Sequence, residues 1–153
     1  PNEIKKYDYI LHIDCARLRY LNNITPQEIY DVINKNQNAS FIGRKQKSHN
    51  NIYEEAGSNW HRGQVDNVEY GENADKWIEK LRQEDFKQEY THTETCIFLR
   101  KINDRELNSI LPKIFDKLME LKLCRDQHVF PYIIQKNNLN KKKFKIVDLF
   151  TKF

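Results

Sequence analysis

Two histidine–acid pairs are the residues whose types and spacing come nearest to chemistry. His12-Ile13-Asp14 and His92-Thr93-Glu94 each place an imidazole and a carboxylate two residues apart. In an extended strand such neighbours project from the same face. A histidine held by an acid can take or give a proton near neutral pH. With His12 and His92 on neighbouring strands, one ring could act as base and the other as acid across a phosphodiester. Polar residues on the solvent face of a strand explain the same spacing with fewer assumptions.

Other catalytic constellations are incomplete. His49 and His61 lie twelve apart around Gly57 and could be loop ligands, but a metal site needs three or four converging donors. No metal or other cofactor is therefore expected. The chain has no glycine-rich phosphate loop and no Gly-x-Ser-x-Gly elbow. Pro1, were it a mature terminus, would carry a secondary amine able to act as a base. The polar run Asn2 to Lys6 is unlike the core strand that such chemistry requires. Cys15, Cys96 and Cys124 are far apart with no Cys-x-x-Cys spacing. Their expected state is buried free thiols in a reducing, cytoplasmic compartment. No apolar run is long enough to span a membrane, and the first residues hold no apolar signal region.

The surface offers two candidates for binding. All four glycines, Gly43, Gly57, Gly63 and Gly71, fall between residues 38 and 72, which read as short strands joined by turns. That stretch carries Arg44 and Lys45, then Asn59-Trp60-His61-Arg62-Gly63. Trp and Arg are the side chains that most often dominate interfaces, so Trp60, His61, Arg62, Arg44 and Lys45 are the candidate binding residues. For Trp60 the competing reading, a core anchor for the loops, takes precedence over a binding surface. The second candidate is the C-terminal stretch. Residues 136–153 carry six lysines against Asp148, so the rest of the chain sums to −1 within a net charge of +4. Lys141, Lys142, Lys143 and Lys145 could meet nucleic acid, but a charge excess confined to one segment is weak support for a basic binding face.

The elements that must position these residues follow from periodicity. Tyr7 to Asp14 alternates apolar and polar residues, as a half-buried strand does. Thr25-Pro26-Gln27-Glu28-Ile29 is a helix start, with Thr25 as N-cap, Pro26 in the first turn and Glu28 closing a capping box. Ile29, Val32 and Ile33 then share one face. Ser40-Phe41-Ile42 and Val65 to Tyr70 read as short strands. A helix spans about 74–82, with Trp77, Ile78 and Leu81 inward, and a strand spans Thr93 to Ile102. The longest helix runs from about Asp104 to Lys122 on Leu107, Ile110, Leu111, Ile114, Phe115, Leu118 and Leu121, with a kink or restart at Pro112. Val129 to Gln135 and Lys143 to Phe150 read as closing strands. At 153 residues and 39% apolar content, one domain with a packed core is expected. The element order implies an α+β two-layer sandwich, ferredoxin-like or related, with a mixed or antiparallel sheet and about three helices on one face.

Ile24-Thr25-Pro26-Gln27-Glu28-Ile29 resembles the helix start of a family of small bacterial proteins of unknown function. That family reads strand, Thr-Pro-Glu-Glu-Ile helix, a Thr-x-aromatic-x-Lys-Gly stretch, a lone Trp, then a leucine-rich helix and closing elements. Ser40-Phe41-Ile42-Gly43-Arg44-Lys45 stands at the second stretch, and Trp60 would be the lone Trp. Cys96 to Ile102, Ile110 to Leu123 and Val129 to Ile134 match the closing elements. The resemblance implies an immunity-type protein that neutralises a toxin, with no catalytic residues. The histidine pairs are also similar in layout to two-histidine phosphoesterases, although Asp14 and Glu94 stand where those have Thr or Ser. The leading expectation is thus a non-enzymatic cytoplasmic binding protein whose partner, a basic or mixed-charge protein, meets residues 38–72. The alternatives are a phosphodiesterase using His12 and His92, or a nucleic-acid-binding accessory protein.

Overall fold

Thr25 opens the first helix as its neighbours require. In the computed structural model, which describes residues 8–14, 24–61 and 68–148, the Glu28 amide donates to the Thr25 hydroxyl at 3.2 Å. The Thr25 amide donates back to the Glu28 carboxylate at 2.8 Å. This reciprocal pair starts α1 (Pro26–Lys35). The strands are β1 (Tyr9–Ile13), β2 (Phe41–Lys45), β3 (Thr93–Lys101) and β4 (Phe144–Val147). The remaining helices are α2 (Ile52–His61), α3 (Val68–Gln83), α4 (Arg105–Leu121) and α5 (Phe130–Lys136), with a 3-10 turn at Asp126–His128.

The strands form one sheet in the order β1-β3-β2-β4. β3 pairs antiparallel with both β1 and β2, whereas β4 runs parallel to β2. The fold is therefore α+β with a mixed sheet, and five helices are described rather than three. Within the segment read as loops and strands over 38–72, Ser40-Phe41-Ile42 leads into β2 as expected, but α2 occupies the middle and α3 begins at Val68. Val129 to Gln135, read as a strand, is instead a 3-10 turn leading into α5. Pro131 lies in the first turn of α5, where no amide donor is needed. α4 runs unbroken through Pro112. Its start is capped by Asp104, whose carboxylate accepts from the Leu107 amide at 2.9 Å.

The chain divides into two compact units, with boundaries at Lys45/Gln46, His92/Thr93, Asn108/Ser109 and Asn138/Leu139. The first holds the four strands, α1 and the first turn of α4. Its core groups Ala39, Ile42 and Leu99 with Tyr9, Leu11, Val147 and the Ile29, Val32 and Ile33 stripe of α1. Phe41 is fully buried and stacks on Phe98 and Phe144 at centroid distances of 5.0 and 4.9 Å. A cluster of Ser40, Asp104, Glu106 and Lys143 ties the entry of β2 to the start of α4. Burial raises the Asp104 pKa, but hydrogen bonds from the Ser40 hydroxyl, the Leu107 amide and Lys143 outweigh it and hold the carboxyl at about 2.

Gly43 sits in β2 where the register against β3 shifts. A Cβ there would lie 2.6 Å from Thr93 Oγ1, 2.7 Å from Phe41 Cε1 and 3.0 Å from Ile146 Cδ1. Thr93 Oγ1 is held by donation to the Arg44 carbonyl at 2.8 Å, so it cannot simply turn away. Gly43→Ala is expected to destabilise the protein by about 1–3 kcal/mol through overpacking. Denaturant unfolding checks this, and a midpoint equal to wild type would show that the strand can give way.

The second unit holds α2, α3, most of α4, the 3-10 turn and α5. Trp77 is 1% exposed, and its indole N–H donates to the His128 carbonyl at 2.7 Å. Tyr132 meets Trp77 edge-on at 4.9 Å and lies 5.3 Å from the Phe86 ring. The Tyr53 hydroxyl donates to the Phe86 carbonyl at 2.7 Å. These aromatic contacts pack with buried Ile52, Ile78, Leu81, Phe130 and Ile133 in this unit.

Candidate functional site

The two histidine pairs have different fates. His12 lies on β1 with its Nε2 3.3 Å from Asp14, both exposed, and its ring stacks on Phe98 at 4.5 Å. His92 is 1% exposed and does not pair with Glu94. Glu94 is taken by Arg44 at 3.2 Å, and both side chains are largely buried. His92 belongs to the second unit and His12 to the first. A ring so enclosed is not offered to a substrate in solution, which removes the support for shared acid–base work by His12 and His92.

The candidate binding residues are likewise dispersed. Arg44 is buried in the sheet by its pairing with Glu94, so its charge is not presented as an exposed loop cation would be. Lys45 is exposed at the end of β2. Trp60 and His61 end α2, but their side chains lie outside the described residues, as does all of Arg62. Among the lysines, Lys143 is engaged by Asp104 at 3.0 Å and Glu106 at 2.8 Å, while Lys141, Lys142 and Lys145 are exposed. Cys96 is half-buried, its Sγ 3.5 Å from the Glu94 carboxylate, and Cys124 is exposed, against the expectation of burial. Cys15 and Pro1 lie outside the described residues.

A polar cluster that no motif announces lies inside the second unit. Its centre is Glu55 in the first turn of α2, 2% exposed. The helix starts there because the Asn51 side chain accepts from the Glu54 amide at 3.0 Å. Gln46 shapes the preceding loop by accepting from the Lys47 and Ser48 amides, and its Nε2 lies 3.4 Å from Glu55. The loop brings His49 Nδ1 to 2.8 Å from the same carboxylate. His92 Nε2 approaches to 3.7 Å and Arg125 to 3.5 Å. His128, 3% exposed, belongs to the same electrostatic neighbourhood. Burial drives the His128 pKa down to about 4; Glu55 opposes this, while Arg125 and His92 reinforce it. Among the described residues, no three His, Cys, Asp or Glu side chains are grouped so as to hold a metal ion. Arg125 in the same cluster would oppose a cation as well.

The outer face of the second unit is apolar where α3 and α4 meet. Glu69, Tyr70, Leu118, Met119, Lys122 and Leu123 line a groove between these helices. Phe115 and Met119, one turn apart on α4, are each 64% exposed, and Tyr70 is 37% exposed. Lys122 bridges the rim to Glu69 at 3.2 Å. A neighbouring groove places Lys76 and Lys80 beside Glu120. Phe115 keeps the period of the apolar stripe, but α4 buries Leu107, Ile110 and Ile114 and leaves Phe115 exposed. The signal for this face was the breadth of the stripe, since 111, 115, 118 and 119 extend it beyond what one buried face takes up.

No helix among the described residues is long and apolar enough to cross a membrane. No family model, curated protein or solved structure matches the chain.

Proposed function

We propose that this protein is a non-enzymatic binding protein of the immunity type, which neutralises a partner protein through the α3–α4 face. The observation that carries this reading is the exposed apolar stripe of Phe115 and Met119 beside Tyr70 and Leu118. Scattered exposed hydrophobes are ordinary, but a contiguous set flanked by charges is the usual composition of an interface. A groove between two helices suits an amphipathic helix of the partner, with apolar side chains over Met119 and carboxylates near Lys76 and Lys80. The resemblance at Thr25 to Ile29 supports the inhibitor role, and the exposed, unbridged Cys124 suits a reducing cytoplasm.

The test is quantitative capture from native host lysate with tagged wild type, Phe115→Ser/Met119→Ser, and Tyr30→Ser. Tyr30 is a control, because it is 61% exposed in the first unit. A stoichiometric protein retained by wild type and Tyr30→Ser should fall about 30-fold or more with the double variant. Thermal stability of that variant should stay within about 0.5 kcal/mol of wild type, as for other exposed sites. Equal retention by all three would exclude this face.

A further inference from the structure

The groove beside Lys76 and Lys80 holds a buried amide that binds nothing in the protein. Asn73, Lys76, Trp77 and Lys80 line it from α3, and Glu120, Leu121 and Lys122 from the end of α4 and the residue after it. Its volume is about 370 Å³. Residues 73, 76, 77 and 80 recur at helical spacing, so one face of α3 presents all four. The Nδ2 of Asn73 is closed off from water and has no hydrogen-bond acceptor. A buried donor left without an acceptor carries its full desolvation cost, so its presence calls for an explanation.

The charges around that amide are unevenly matched. Lys117 holds Glu120 at 2.7 and 2.9 Å, and Lys122 lies 3.2 Å from Glu69. Lys76 and Lys80 form no ion pair among the described residues, although Glu72 stands one turn before Lys76. The bond from Lys117 lowers the Glu120 pKa most, and Lys80 adds to it across the groove without an ion pair. Like charges one turn apart on a helix repel, so Lys76 and Lys80 share this face at a cost that a bound anion would relieve.

We infer that this groove is a site for a phosphoryl oxyanion, free phosphate or a phosphate monoester, held by the Asn73 amide and by Lys76 and Lys80. The number of donors favours it over a carboxylate. A carboxylate offers two oxygens to the three groups, whereas a phosphoryl group offers three and carries close to two negative charges near neutral pH. Lysine binds phosphate as a point charge on a flexible stem, so Lys76 and Lys80 can swing onto the anion while Asn73 fixes one oxygen. Because the same lysines border the carboxylates of the proposed partner, bound phosphate would compete with that partner. That consequence rests on the proposed function, whereas the site itself does not.

Nitrogen–proton NMR of the intact chain, titrated with inorganic phosphate at about pH 7 and fixed ionic strength, tests the site. The Asn73 side-chain amide, identified by its absence in Asn73→Ala, should shift and saturate together with the backbone amides of Lys76 to Lys80. The expected Kd is on the order of 1 mM. Lys76→Gln/Lys80→Gln should weaken binding about fivefold or more, while Lys145→Gln, at an exposed site in the first unit, leaves it unchanged. Both groove lysines are exposed, so the double variant keeps its fold. Shifts that never saturate, that spare Asn73, or that acetate reproduces at equal concentration would overturn the site. Glycerol phosphate separates the sources: tighter binding than inorganic phosphate assigns a monoester, and equal or weaker binding assigns the free anion. Phe115→Ser/Met119→Ser should titrate as wild type, so this site and the partner face fail separately.

Discussion

Glu55→Gln is expected to lower the stability of the second unit by about 3–5 kcal/mol, the range for removing one partner of a buried ionic cluster. The side chain is 2% exposed and is the shared neighbour of Gln46, His49, His92 and Arg125. Glutamine keeps the shape and removes the charge, so the loss reports electrostatics rather than a cavity. Arg125 would then lose the buried carboxylate that lies 3.5 Å from its guanidinium. Glu55→Leu should be destabilising as well, since it likewise removes the carboxylate beside Arg125. Urea unfolding followed by tryptophan fluorescence measures both variants. A Glu55→Gln midpoint indistinguishable from wild type would mean that the cluster holds nothing together.

Phe41→Ala should cost about 3–5 kcal/mol in the first unit, as expected for deleting a fully buried aromatic side chain. The ring is 0% exposed at the centre of the sheet and is stacked between Phe98 of β3 and Phe144 of β4. Its removal would take one stacking partner from each ring, and among the described strands β4 pairs with β2 at the sheet edge. Loss of protection in β4 before β3 is the expected exchange pattern. A loss below about 1 kcal/mol would mean that Phe98 and Phe144 close over the gap.

Much of the first unit was legible because its signals are local. The Thr25 capping box, the alternation in β1 and β3 and the Ile29, Val32 and Ile33 stripe each depend on a few adjacent residues. Val129 to Gln135 misled because Val, Phe, Tyr and Ile are all strand-favouring, while only Pro131 hinted at a helix start. Val65 to Tyr70 failed for a similar reason: Val68 and Tyr70 suggested a strand, but Val68 opens α3, whose buried residues Gly71, Ala74, Ile78 and Leu81 recur at helical spacing. Val65 to Asn67 lie outside the described residues. The Glu55 cluster could not be read at all. Its members at 46, 49, 55, 92, 125 and 128 come from separate stretches, and none matches a ligand or catalytic spacing. Phe115 was hidden by its own regularity, since a leucine-rich period does not say which flank of the stripe meets solvent.

The most direct measurement of the binding claim is photo-crosslinking in native host cells, with a photoreactive side chain at Met119 and, separately, at Tyr30. The expected result is one protein joined through position 119 and not through 30, linked at a segment that carries apolar residues on one helical face and carboxylates beside them. No crosslink from 119, or the same set of proteins from both positions, would contradict a partner on the α3–α4 face.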